Sequence, residues 1–261
     1  MLKNPSIDEV QADTRSPTAS SVSLNLMLRE NRVVGTLLGI TAFLRLAGMV
    51  CVISRYYGLD FFGRDLFDLD AETNVPATFS ALILLLAAVI LGVIAAARGQ
   101  AGRADAFSWR ALTGIFAYLA LDEATMLHER LDRITSSLVS TDGFLHYAWV
   151  LPYGILGLVV LALFLRFLLQ LPANIRWRVV LAGVIYVGGA MGVEMIGGAV
   201  VTTLSEESLP ARMLTVLEEG MEMLGVILFI GALLSYIRLY LPGLQLRLGL
   251  APTTPAPSSG D

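Results

Sequence analysis

One cysteine and two histidines are all that 261 residues offer toward thiolate or imidazole chemistry. Cys51 sits alone in an apolar run, which excludes an intrachain disulfide, a CxxC pair and a thiolate metal site. Charge is scarce too: 15% of the residues are Asp, Glu, Lys or Arg, against 56% hydrophobic, and the mean hydropathy is +0.70. Soluble domains carry about a quarter charged residues, so this balance points to a membrane protein. No basic excess exists either. The net charge of −4 leaves no electrostatic footprint for nucleic acid. The first thirty residues are polar and the first apolar run is long enough to span, so no removable signal peptide is expected.

What the chain does have is six apolar runs of spanning length, at about 33–56, 76–97, 111–130, 147–166, 179–202 and 209–238. The predicted fold is all-α, a polytopic six-transmembrane-helix bundle over residues 31–240. The Ser-, Asp- and Thr-rich residues 1–30 and the Pro-, Thr- and Ser-rich residues 241–261 read as disordered tails. Pro76 marks the start of the second helix, Ser208 with Pro210 the start of the sixth, and Pro152 predicts a kink in the fourth.

Alternate connections differ in charge. Arg29 and Arg32, then Arg98, Arg103 and Arg110, then Arg166, Arg176 and Arg178, then Arg238 and Arg247 occupy one set. Asp60, Asp65, Asp68, Asp70 and Glu72, then Glu206 and Glu207, occupy the other. The positive-inside rule then predicts cytoplasmic termini, and the Ala, Leu, Gly and Arg bias suggests a bacterial plasma (inner) membrane.

Intramembrane charge costs ~2.5–3.5 kcal/mol per residue on insertion scales, yet this chain carries much of it. Counted from the cytoplasmic edge at the helical rise, Asp122 and Glu123 lie at about 17 Å, Glu194 and Glu222 at about 22 Å, and His128, Glu129, His146, Glu218 and Glu219 at about 26–28 Å. Three helices thus send carboxylates to one depth band, and both histidines border it. On the third helix Asp122, Thr125, His128, Glu129 and Asp132 share one face at i, i+3, i+6, i+7 and i+10. Glu123 and Arg130 lie together on a neighbouring face, where they can pair. Glu194 is set among Gly188, Gly189, Gly192, Gly197 and Gly198, small residues that let another helix approach.

Seven acids in this band (Asp122, Glu123, Glu129, Glu194, Glu218, Glu219, Glu222) face only Arg45 and Arg130 as fixed cations. Either some are protonated or a cation is bound. Carboxylates with two imidazoles suit a divalent transition metal such as Fe, Mn or Zn. The inventory resembles that of di-metal carboxylate bundles, without their Glu-x-x-His pairs. His128 to Asp132 looks like a zinc-protease helix motif with Asp replacing the last histidine.

The first expectation is a metal-dependent membrane enzyme acting on a lipidic or small hydrophobic substrate at the outer leaflet, with membrane lipids as surroundings. His128, Glu129, His146, Glu194 and Glu222 are its candidate metal ligands, Asp122 and Glu218 its candidate catalytic acid–base groups, and Arg45 with Asp122 a structural ion pair. The alternatives are a proton- or cation-coupled transporter using Asp122, Glu194 and Glu222, and a receptor or assembly subunit without chemistry. Each residue also has a plain reading. Outer-edge acids and histidines can simply meet water, Tyr147, Trp149 and Tyr153 can form an aromatic belt, and Met191, Met195, Met221 and Met223 can fill the core. The echo of Leu121-Asp122-Glu123 in Leu217-Glu218-Glu219 suggests an inverted repeat, but both motifs fall on the same side of the midplane.

Overall fold

The computed structural model describes residues 22–24, 30–59, 63–67, 74–139, 141–244 and 246–248. Two units are distinguished. In one, Val22–Leu24 (β1) pairs antiparallel with Leu246–Leu248 (β2), with Ser23 opposite Arg247. The rest of the expected disordered tails lies outside the described residues, as do Asp60, Asp68, Asp70 and Glu72 of the expected acidic loop.

The second unit is helical. Its elements are α1 (Glu30–Tyr56), α2 (Val75–Gln100), α3 (Ala106–Thr125), α4 (Leu127–Leu138), α5 (Val150–Gln170), α6 (Ala173–Val187), α7 (Glu194–Thr203) and α8 (Leu209–Tyr240). A π-helical turn, Gly188–Val193, joins α6 to α7 without a break. Five stretches are long and apolar enough to cross a membrane: α1, α2, α5, α6 through α7, and α8. The sixth expected run is present as α3, but Arg110, Asp122 and Glu123 leave it less apolar, and it ends at Thr125, five residues before the end of the expected 111–130.

Local chemistry explains the helix starts. Asn74 caps α2, its side chain accepting from the Ala77 amide at 2.7 Å, and Pro76 occupies the first turn. Ser208 caps α8 through the Ala211 amide, with Pro210 just inside. Pro152 does not kink α5. The helix begins only at Val150, so Pro152 falls in the first turn, where its missing N–H has no intrahelical partner to lose.

The third expected helix breaks at Met126, which adopts the left-handed conformation (φ 51°, ψ 49°). Asp122 reaches across this break and accepts from the His128 amide at 2.9 Å, satisfying a donor that the first turn of α4 leaves unpaired. The continuous face expected from Asp122 to Asp132 is therefore interrupted. Glu123 and Arg130, expected to pair on a neighbouring face, fall on opposite sides of the same break.

The core lies between α2 and α8. Leu84, Leu91 and Ile94 of α2 meet Met223, Ile227, Ile230 and Leu233 of α8, all essentially inaccessible. Trp109 of α3 packs edge-on to Phe167 of α5 and against Tyr236 of α8. The α6–α7 segment approaches α8 through glycine. A Cβ on Gly225 would stand 2.7 Å from the Tyr186 Cβ, and one on Gly189 would stand 2.9 Å from the Glu218 carbonyl. Gly198 is equally close to His146 and the Gly143 carbonyl, whereas Gly192 and Gly197 have open space beside them. The close approach expected of this glycine-rich stretch is thus made by part of it. α5 differs: among its residues only Val150 is buried.

Candidate functional site

A cavity of about 2210 Å³ lies between α3, α5, α6 and α8. Its two ends differ in chemistry. Where α3 stops and α7 passes to α8, the walls carry Asp122, Glu123, Glu194, Glu218, Glu219 and Glu222, with His128, Glu129 and Asp132 from α4. Toward the other end they are Phe116, Leu156, Val160, Phe164, Phe167 and Leu233. α5 contributes a full helical face from Tyr153 through Gly157, Val160 and Phe164 to Leu168, at the i, i+4, i+7, i+11 and i+15 spacing of one stripe. The carboxylates expected from three helices at one depth therefore share one space.

Within that space the groups are paired. Asp122, 6% exposed, holds His128 twice: its Oδ1 accepts from the backbone amide and its Oδ2 stands 3.4 Å from Nδ1. The His128 ring lies 5.2 Å from that of Trp149, which meets Tyr153 edge-on. Trp149 ties three elements together. Its backbone amide donates to Asp132 Oδ1 at 3.0 Å, and its indole N–H donates to Glu194 Oε1 at 3.0 Å. The Glu194 carboxyl also faces that of Glu218 at hydrogen-bonding range, and Glu123 faces Ser80. The phenol oxygens of Tyr118 and Tyr153 are 2.9 Å apart. Arg212 of α8, 5% exposed, pairs with Glu207.

Several expected pairings take a different form. Arg45 meets Glu219 at 3.0 Å, not Asp122, whose carboxylate is engaged by His128. Depth alone suggested the Asp122 pairing, but the Arg45 side chain passes beside Gly220 to reach Glu219. With no side chain there, the Arg45 Cδ approaches to 3.4 Å of where a Cβ would be. Of the five residues named as metal ligands, His128, Glu129, Glu194 and Glu222 line the cavity and His146 does not. His128 and Glu129 sit on α4, Glu194 bonds Trp149, Glu222 lies on α8, and His146 packs on Gly198 away from the cavity. Among the described residues no group of three His, Cys, Asp or Glu side chains is placed to hold a metal ion.

Trp149 and Tyr153, read from sequence as a belt at the membrane surface, belong to the site. Asp132 and Glu219 do as well, the latter as the partner of Arg45. The i, i+4 spacing of Trp149 and Tyr153 beside Pro152 was the available signal. Nothing in the sequence pointed to Met126 as a break. The two ring hydroxyls, the Asp122–His128 pair and the facing carboxyls of Glu194 and Glu218 make this end of the cavity able to hold a polar group and to pass a proton. The remaining wall is apolar.

Neither the curated proteins nor the solved structures contain a match to this chain. The family model described as "Domain of unknown function (DUF8692)" matches residues 37–237, from within α1 to near the end of α8, and the chain belongs to that family.

Proposed function

We propose that this is an integral membrane protein that takes a lipidic or small hydrophobic substrate into the cavity between α3, α5 and α6, and acts on its polar end by acid–base chemistry. The spans are α1, α2, α3, α5, the α6–α7 segment and α8, with α4 at the outer edge of the hydrocarbon. The arginine-rich α2–α3 and α5–α6 connections face the cytoplasm and the acidic end faces outward, by the positive-inside rule. The observation carrying the reading is the two-part cavity, an apolar slot continuous with a carboxylate, imidazole and phenol cluster. His128, oriented by Asp122, is the proton-transfer group, and Glu218 is the second. Ten acidic side chains against four arginines in the wall favour a neutral or cationic polar end over an anionic one.

Photo-crosslinking tests this. A phospholipid with a diazirine in its acyl chain, reconstituted with the protein, should label Gly157, Val160 and Phe164 on the inward face of α5. Labelling confined to outward residues such as Leu158 and Leu163, which are 68% and 73% exposed, would refute the slot. Proton- or cation-coupled transport is the second reading, favoured by the facing carboxyls of Glu194 and Glu218. It requires that Glu222→Gln abolish a proton flux measurable in sealed liposomes.

A further inference from the structure

We infer that α4 is an interfacial helix that lies on the outer lipid surface, its apolar face in the acyl boundary and its polar face roofing the acidic end of the cavity. The inference rests on the membrane reading above. Three observations place it.

Depth is the first. Counted from Arg110 at the cytoplasmic edge, α3 rises about 22 Å of the ~30 Å of a hydrocarbon core by its last residue, Thr125. α4 starts after one left-handed residue, so it begins in the outer ~5–10 Å, the depth at which interfacial helices bury their apolar face.

Pattern is the second. Leu127, Leu131, Ile134 and Leu138 recur at i, i+4, i+7 and i+11 and form a single narrow stripe. Every other position of the helix is polar or charged. Such a helix, apolar on one side and low in net hydrophobicity, is built to lie in an interface and not to cross it. No residue of α4 is buried, and Ile134 and Leu138 are 58% and 79% exposed.

Orientation is the third. Two residues off the stripe fasten the helix from inside. His128 binds Asp122 of α3, and Asp132 accepts from the Trp149 amide at the start of α5. Glu129 and Arg133 line the cavity beside them. With that face held inward, the leucine stripe must point away from the bundle. At this depth what lies there is the boundary between headgroups and acyl chains. The same placement puts the mouth of the acidic end at headgroup level, where the polar end of a lipidic molecule already resides.

The test uses the full chain with Cys51→Ser, reconstituted in vesicles of phosphatidylcholine and phosphatidylglycerol. Nitroxide labels go on Leu131→Cys, Ile134→Cys and Leu138→Cys, and on Arg130→Cys, Ser136→Cys and Ser137→Cys for the polar side. Ile134 and Leu138 touch no core, so labelling there leaves the fold intact. Val89→Cys on α2, 57% exposed, reports on the membrane itself. Collision rates with oxygen and with a water-soluble nickel chelate are then compared. The expected result is an oxygen-to-nickel ratio several-fold higher on the leucine stripe than on the polar side, with Val89→Cys higher still. Stripe positions as nickel-accessible as Ser136→Cys would overturn the inference. Stripe positions shielded from both reagents would overturn it in favour of a protein contact. A low ratio at Val89→Cys would instead remove the membrane reading on which it stands.

Discussion

α8 and α5 are both long, apolar and uninterrupted, yet the bundle treats them oppositely. In α8, 67% of the most apolar stretch is buried, against 11% in α5. α8 carries Glu218, Glu219 and Glu222 and still forms the centre of the core. α5 has no acid at all and stands off from it. Composition therefore does not decide which helix is central. What decides is the close approach that glycine permits. Gly225 and Gly189 let the α6–α7 segment settle against α8, while Gly157 of α5 has nothing within 4 Å. Tight packing on one side of α6 and loose packing on the other leave the cavity between, with α8's carboxylates at one end of it.

The sharpest way to break this contrast is to unpair a charge that α8 has drawn into the bundle. Arg45 has lost most of its solvent, and two of its nitrogens, Nε and Nη1, have no partner within the bundle. Among the described residues its hydrogen bond is to Glu219. Arg45→Leu should therefore cost about 3 kcal/mol, because it breaks a largely desolvated ion pair. Arg45→Leu with Glu219→Leu should recover part of that loss. A double-mutant cycle by thermal unfolding in detergent measures the coupling, and a value near zero would mean that the pair does not hold α1 to α8.

Next in size is the glycine contact itself. A methyl at Gly225 would meet the Tyr186 backbone nitrogen at 2.8 Å and the Ala182 carbonyl at 2.9 Å, and backbone cannot rotate away. Gly225→Ala should destabilise by ~1–3 kcal/mol, the range of overpacked cores. Trp149→Phe should cost less, about 1–2 kcal/mol, by leaving Glu194 without its indole donor at the start of α5. It should also raise hydrogen exchange at the start of α5 without affecting α8. Equal loosening of both helices would show that α5 is no more independent than α8.

Five of the six expected apolar runs return as helices long and apolar enough to cross a membrane, because spanning length leaves a signature in composition alone. The caps at Asn74 and Ser208, and the prolines beside them, were readable for local reasons. The convergence of Asp122, Glu194 and Glu222 was readable from helical rise. Partner choice was not. Arg45 reaches Glu219 and not Asp122, and that is a matter of rotation about helix axes, which depth counting ignores. The end of α3 was hidden as well, since Met126 carries no turn signal and the periodicity of Asp122, Thr125 and Glu129 runs straight through it. Once the helix breaks there, Asp122 becomes a cap for α4, and Trp149 moves from an expected belt to the wall of the site. The π-helical turn before Glu194 was foreshadowed only by its glycines.

The smallest effect tests the loose side of the contrast. In mid-helix, glycine is less favourable than alanine by roughly 0.5–1 kcal/mol, because the unfolded chain loses more freedom on folding. That gain is realised only where a methyl meets no resistance. Gly157 lies on the cavity face of α5 with open space beside it, so Gly157→Ala should stabilise by about 0.5 kcal/mol, the opposite sign to Gly225→Ala. Gly154, one turn earlier, is intermediate. A Cβ there would stand 3.3 Å from the Met191 methyl, the far end of a flexible side chain that can move. Gly154→Ala should therefore fall near zero. Unfolding temperatures of the three variants in one detergent give the order directly. If Gly157→Ala proved as harmful as Gly225→Ala, α5 would have to pack against the bundle as closely as α8 does, and the space assigned to a substrate would not exist.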